Sequence, residues 1–187
     1  MSRNIDQMNL DELRERVREC RECELCRTRS NTVFGEGSRC PPVMFIGEGP
    51  GHYEDQSGRP FVGRAGKLLD QMIEEMGLAR EEVFIGNIVK CRPPDNRNPS
   101  DEEAQNCLPY LRRQIVLLKP RFLILLGAVP LQFMLGLKGI TKLHGNFYEY
   151  MEIPTMATYH PSYLLRVNSR KREAWEDLQK IMRWMRQ

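Results

Sequence analysis

Three short apolar runs limit what this chain can fold into. Val43-Met-Phe-Ile46, Val83-Phe-Ile-Gly-Asn-Ile-Val89 and Phe122-Leu-Ile-Leu-Leu126 are continuous rather than alternating, apart from the polar Asn87. Strands of that kind are buried on both faces, the habit of a mainly parallel sheet covered by helices on either side. The segments between them have helical signals. Asn9 caps a predicted helix from Leu10 to about Cys20, with Glu12 at the capping-box position and Leu10, Leu13 and Val17 on one face. Ala65–Met76 carries Leu68, Leu69, Met72, Ile73 and Met76 at helical spacing. Ser100-Asp-Glu-Glu103, after Pro99, opens a helix continuing to about Leu118. Ala128–Leu135 reads as a helix, and so does the stretch from about Arg172 to the end, with Trp175, Leu178, Met182 and Met185 toward the core. Phe147–Tyr150 and Thr155–Tyr159 read as shorter strands. In such α/β folds ligands bind at the carboxyl ends of the strands. That rule points to the residues after Ile46, around Asn87 and after Tyr159.

A chain of 187 residues suits one domain, and it can bury a full core without disulfides. The expected unit is therefore 1–187, with an N-terminal helix and cysteine loop (1–42) packed on the core. The longest apolar run, Phe122–Val129, is too short to span a bilayer, and no signal peptide opens the chain, so an intracellular, cytoplasmic protein is expected. In a reducing compartment the six cysteines point to metal, catalysis or inert burial. The net charge of +3 is unevenly spread. From Arg166 to Gln187 seven Lys or Arg stand against three Asp or Glu, and the rest of the chain is close to neutral. On charge alone that end is either a solvated amphipathic helix or a surface for an anionic partner.

Cys20 and Cys23 form a C-x-x-C at the end of the first helix. Cys26 follows, Cys40 precedes the first strand, and Cys91 and Cys107 come after the second. Any one of them could be inert packing. The C-x-x-C with two later cysteines favours metal or cluster binding. Zinc prefers two closely spaced pairs; the wide gap between Cys91 and Cys107 suits an iron–sulfur cluster, which also takes four thiolates. A thioredoxin-type pair is disfavoured, because no buried strand leads into the C-x-x-C. Two cysteines must be spare, and spacing does not choose them.

Gly47-Glu-Gly-Pro-Gly51 follows the first strand as a phosphate loop would, but no Gly-Lys-Ser/Thr follows and Pro50 breaks the dinucleotide pattern. Its glycines let backbone N–H groups approach a flat ligand, and Glu48, Glu54 and Asp55 place carboxylates beside it. An ordinary acidic loop is the plainer reading. Phe61, in Gly58-Arg-Pro-Phe-Val-Gly63, suits stacking on a base or anchoring its loop. Asn87 interrupts a strand, which is unfavourable unless its amide is used. It is either a satisfied structural residue or a reader of an edge such as uracil N3–H/O4. His160-Pro-Ser-Tyr-Leu-Leu-Arg166 joins a histidine at a strand end to a rigid turn. Leu164 and Leu165, close to Arg166, Arg170, Lys171 and Arg172, suit wedges inserted into a duplex. A lone histidine is more often structural, yet this one lies where the other loops converge.

These pieces resemble the iron–sulfur, family 4 branch of the uracil-DNA glycosylase superfamily. The resemblance rests on Cys20-x-x-Cys23-x-Leu25, Thr28-Arg29, Val33-Phe-Gly-Glu-Gly37, Gly47-Glu-Gly-Pro-Gly51 with Glu54-Asp55, and Gly58–Gly66. It continues through Asn87-Ile-Val-Lys-Cys-Arg-Pro-Pro94, Cys107, Leu126-Gly127 and His160–Arg166. It implies a three-layer α/β/α sandwich around a four-stranded parallel sheet, stabilised by a [4Fe-4S] cluster on Cys20, Cys23, Cys91 and Cys107. It implies a uracil pocket formed by Gly47, Glu48, Gly49, Glu54, Phe61, Asn87 and His160. The family often has Ala at the position of Gly49, where other branches of the superfamily carry a water-activating Asp.

The expected reaction is hydrolysis of the N-glycosidic bond of deoxyuridine in DNA, with the uracil flipped from the stack. It leaves an abasic site, the first step in repair of deaminated cytosine. His160 and the Gly47–Gly49 backbone donate to O2 of the departing uracil anion. Asn87 accepts from N3–H and donates to O4. Glu54 or its loop crowds C5 against thymine, and Glu48 or Glu54 orients water or stabilises the cationic sugar. Ser162, Leu164, Leu165, Arg166, Arg170 and Lys171 are the expected DNA contacts. Uracil-containing DNA, single- or double-stranded, is the expected partner of a monomeric, nucleoid-associated prokaryotic enzyme, with a sliding clamp as candidate recruiter. Two competing classes are a non-catalytic iron–sulfur nucleic-acid-binding module and a zinc-stabilised hydrolase of another small substrate.

Overall fold

The structure, a computed structural model, describes residues 4–186. Its strands are β1 (Glu36–Gly37), β2 (Val43–Gly47), β3 (Phe84–Asn87), β4 (Phe122–Leu126), β5 (Phe147–Tyr150) and β6 (Ile153–Thr158). Its helices are α1 (Leu10–Arg18), α2 (His52–Ser57), α3 (Arg64–Glu75), α4 (Asp101–Leu118), α5 (Ala128–Leu135), α6 (Ile140–Leu143), α7 (Pro161–Arg166) and α8 (Lys171–Met185). The expectation that the last helix runs to the chain end falls, for Gln187, outside the described residues. Both predicted capping boxes form: Asn9 with Glu12 on α1, and Ser100 with Glu103 on α4. Each carboxylate returns a bond to the cap's own N–H, satisfying a donor that the helix cannot.

All strands join one sheet in the order β1-β3-β2-β4-β6-β5. The four expected parallel strands, β3, β2, β4 and β6, are its centre. The expectation of four strands is corrected to six. β1 adds to one edge and β5 to the other, both antiparallel. β1 is only two residues long, too short to leave an apolar pattern. β5, expected as a strand from its sequence, pairs back on β6 through a tight turn at Met151-Glu152, both with positive φ.

The apolar runs alternate between two cores, as a doubly covered sheet requires. Met44, Ile46, Phe84, Leu123 and Leu125 pack with α1, α4 and α5 on one face. Val43, Phe45, Ile85, Phe122 and Ile124 pack with α3 and α8 on the other. β2 has β3 on one side and β4 on the other, so the chain reverses direction across the sheet at β2. A crevice opens above the carboxyl ends of strands at such a reversal.

Candidate active site

The crevice is a cleft of about 320 Å³ lined by Glu48, Gly49, Glu54, Phe61, Asn87 and His160, among others. The three strand ends singled out in the sequence meet here. Gly47 ends β2 in register with Asn87 at the end of β3. Gly127, after β4, takes φ +96°, and a Cβ there would lie 3.0 Å from His160 Cβ. The histidine that follows β6 is thus packed over the end of β4.

Asn87 is almost wholly buried (1% exposed), and its Oδ1 has no hydrogen-bond partner. Leaving a buried carbonyl oxygen unpaired costs roughly 1–3 kcal/mol. The plainer sequence reading, a satisfied structural asparagine, is therefore not what the fold contains. The orphaned oxygen sits over Gly47: a Cβ on that glycine would lie 2.4 Å from Asn87 Oδ1 and 2.7 Å from Phe61 Cζ. Glycine, asparagine and phenylalanine thus form three close walls of one slot.

Phe61 is buried and its backbone has φ 51°, unusual for a residue with a side chain. Glu54 holds it there. One carboxylate oxygen accepts from the N–H groups of Val62, at 2.9 Å, and Gly63, at 3.2 Å. Behind the loop, Gly66 lies so near that a Cβ would fall 1.8 Å from the Phe61 carbonyl oxygen. The ring stacks on His160 with centroids 5.6 Å apart. Glu54 therefore shapes the aromatic wall as well as lining the cleft.

His160 has a defined tautomer. Its Nδ1 accepts from the Ser162 backbone N–H, at 3.1 Å, and lies 2.8 Å from Ser162 Oγ, so that this ring atom caps α7. Nδ1 acting as acceptor leaves the proton on Nε2. Burial, helped by Arg166, pulls the imidazole down to about 4, so the ring is a neutral N–H donor at physiological pH. Burial pushes the Glu48 carboxyl upward.

A family model of the Uracil DNA glycosylase superfamily matches residues 34–179. The chain belongs to that superfamily. It is 46% identical over 171 residues to a type-4 uracil-DNA glycosylase of Thermotoga maritima, covering 89% of each chain. It is 43% identical over 183 residues to a type-4 uracil-DNA glycosylase of Sulfurisphaera tokodaii, covering 92% of this chain and 83% of the relative. A type-5 uracil-DNA glycosylase of Pyrobaculum aerophilum is 31% identical over 140 residues, covering 65% and 62%.

The superfamily match begins at Phe34, downstream of Cys20, Cys23 and Cys26. These three thiols nonetheless meet Cys91 and Cys107 around one small cavity, with Arg29, Lys90 and Tyr110 also in its wall. Cys26, left spare by the sequence reading, stands with the proposed four, whereas Cys40 is exposed and outside. Donors aim at the sulfurs. Arg29 Nη1 lies 3.0 Å from Cys91 Sγ, the Lys90 backbone N–H 3.3 Å from Cys107 Sγ, and the Tyr110 hydroxyl 3.4 Å from Cys20 Sγ. Burial pushes the Cys91 thiol up to about 11 and the Cys107 thiol up to about 12. Among the described residues no group of three or more His, Cys, Asp or Glu is arranged to hold a single metal ion.

On the rim, the glycosylase fold corrects part of the DNA-contact expectation. Leu164 is buried (1% exposed) in the core beneath α7, so it is not a wedge. Leu165, one position on, is only half-buried. Arg170 is ion-paired with Glu173 at 2.6 Å, which compensates its charge. Ser162 and Arg166 line the cleft, and Lys171 is exposed. Leu164→Ala should lower unfolding stability by about 2–5 kcal/mol, read by urea unfolding, while Leu165→Ala should leave it within about 1 kcal/mol. Equal losses would return Leu164 to the rim.

The sequence reading missed one whole wall of the cleft. Pro93, Asn96 and Arg97 line it from the loop after β3. Asp95 and Asn96 take φ 53° there, and Arg97 is bound by Glu103 at 2.7 Å. The run Pro93-Pro-Asp-Asn-Arg97 was a usable signal, because Asn and Asp tolerate the left-handed conformation that tight loops need.

Proposed function

We propose that this chain is a uracil-DNA glycosylase that hydrolyses the N-glycosidic bond of deoxyuridine in DNA. The observation that carries the reading is the orphaned Asn87 Oδ1 in a slot walled by Gly47 and Phe61. A flat ligand with an N–H donor fits that need, and uracil N3–H is such a donor. The Asn87 amide then donates through Nδ2 to O4. Cytosine, with no N3–H and an amino group at C4, leaves both ends of the amide mismatched.

Uracil is flipped out of the stack and lies against Phe61. Bond cleavage leaves electron density on the base, and the neutral His160 Nε2–H donates to O2 as that charge develops. Glu48, half-buried, lines the cleft from the loop after β2; a carboxylate there stabilises cationic character on the sugar or orients water. Glu54, held by two N–H groups, keeps Phe61 in place and crowds the C5 side. Leu165 is the apolar residue left to enter the duplex, with Arg166 and Lys171 for phosphates. In this reading the chain acts as a cytoplasmic, nucleoid-associated monomer in repair of deaminated cytosine, and a sliding clamp is one candidate to recruit it. Incubation with uracil-containing DNA, then alkali, should cut the strand at uracil and nowhere in a cytosine control; intact uracil DNA would overturn the reading.

Cys20, Cys23, Cys91 and Cys107 fit a [4Fe-4S] cluster, because they share a cavity and N–H or O–H donors point at three of the four sulfurs. Such donors to cysteinyl sulfur accompany thiolate ligation. When bound, the cluster ties the chain around Cys20, the loop after β3 and helix α4 together through thiolate bonds. Cys91→Ala should abolish the broad visible absorbance, reduce iron content and lower the unfolding midpoint. Purified protein holding zinc and no iron would exclude the cluster.

A further inference from the structure

Lys90 is fully buried at 1% exposure, in the wall of the cysteine cavity beside Cys91 and Cys107. Buried lysines are rare unless paired. Here the ammonium makes two hydrogen bonds: Nζ donates to the main-chain oxygen of Asn87 at 2.8 Å and to Gln114 Oε1 at 2.8 Å. The Gln114 amide, in turn, donates to the Phe34 carbonyl at 2.8 Å.

We propose that Lys90 is a positioning residue for base reading: its ammonium fixes the Asn87 carbonyl and thereby sets where the Asn87 amide lies in the cleft. The topology explains why a side chain is needed. β1 pairs with β3 only at Phe84 and Ile85, so no strand on that side reaches the carbonyl of Asn87. Lys90 supplies the missing donor and anchors it to α4 through Gln114. The same peptide is held at its other end, where the Ile88 N–H donates to Gly47 O at 2.9 Å. Both polar atoms of the peptide following Asn87 are therefore pinned, one to α4 and one to the end of β2. Without the ammonium the Asn87 carbonyl and Gln114 Oε1 are both left buried and unpaired. Lys90 therefore supports the fold as well, and its coupling to Asn87 is what separates the two roles.

The inference rests on the uracil reading. Its test is a double-mutant cycle on single-turnover excision from uracil-containing DNA. Lys90→Met should slow excision about ten- to a hundred-fold, the scale of an ångström-level misplacement, with affinity for the same DNA little changed. In an Asn87→Ala background the same substitution should have almost no further effect, because the residue through which it acts is gone. A purely structural lysine would slow both backgrounds by the same factor, and that result, or wild-type excision by Lys90→Met, overturns the inference. Should Lys90→Met fail to fold, Gln114→Leu carries the same cycle, with a smaller slowing that again disappears without Asn87. Wild-type protein that leaves uracil DNA intact overturns the uracil reading and this inference together. Active wild type with additive effects overturns this inference alone.

Discussion

Asn87→Ala should slow single-turnover uracil excision by about two to three orders of magnitude, the usual loss when one preorganised polar group is removed. The fold should be no less stable for it. Most buried polar residues lose stability on truncation because a partner is left behind. Asn87 Oδ1 has none to leave. Removing it takes away an unpaired acceptor, so the unfolding midpoint should stay level or rise, and DNA affinity should persist because phosphate contacts dominate it. Activity and stability then move apart, which marks a group kept for a ligand. A midpoint that falls in step with activity would instead place Asn87 in the structural network.

Gly47→Ala should lower excision at least about a hundred-fold through misplacement of the pocket, whereas Gly49→Ala, two residues along the same loop, should cost far less. At position 47 the added methyl meets Asn87 Oδ1 at 2.4 Å and the Phe61 ring at 2.7 Å. Neither can withdraw easily: Asn87 is held in the sheet, and Phe61 is trapped between the Glu54 clamp and Gly66. At position 49 the methyl meets Val89 Cγ2 at 2.7 Å and otherwise only Pro93 Cδ at 3.8 Å. A small shift of a valine methyl accommodates that. Parallel excision assays of the two variants check the contrast, and equal losses would mean the loop backbone, rather than the slot, is what the glycines serve.

Much of this is legible in the sequence. The apolar runs are long enough to mark β2, β3, β4 and their burial on both faces, and two capping boxes mark helix starts within a residue. Asn87 stood out because a polar residue inside such a run needs a reason. Other features left no trace. Leu164 and Leu165 are neighbours on a helix of fewer than two turns, and so short a segment has no period to say which one turns inward. Lys90 sits between Val89 and Cys91, where a lysine reads as exposed by default; its burial depends on β1 stopping short, a fact of pairing and not of local composition. The cysteines showed a ligand-like spacing, but their convergence, Cys26 included, depends on α4 returning Cys107 to the end of α1.

The double duty of His160 has a consequence for how the site can be watched. Its Nδ1 lone pair closes the first turn of α7, so a proton on that nitrogen and the helix cap exclude each other. Acidification toward pH 4 should therefore unlatch α7 from its leading end as it charges the ring. The Ser162 amide then becomes a built-in indicator: its exchange with solvent deuterium and its nitrogen-15 chemical shift should titrate with the imidazole, without any substrate bound.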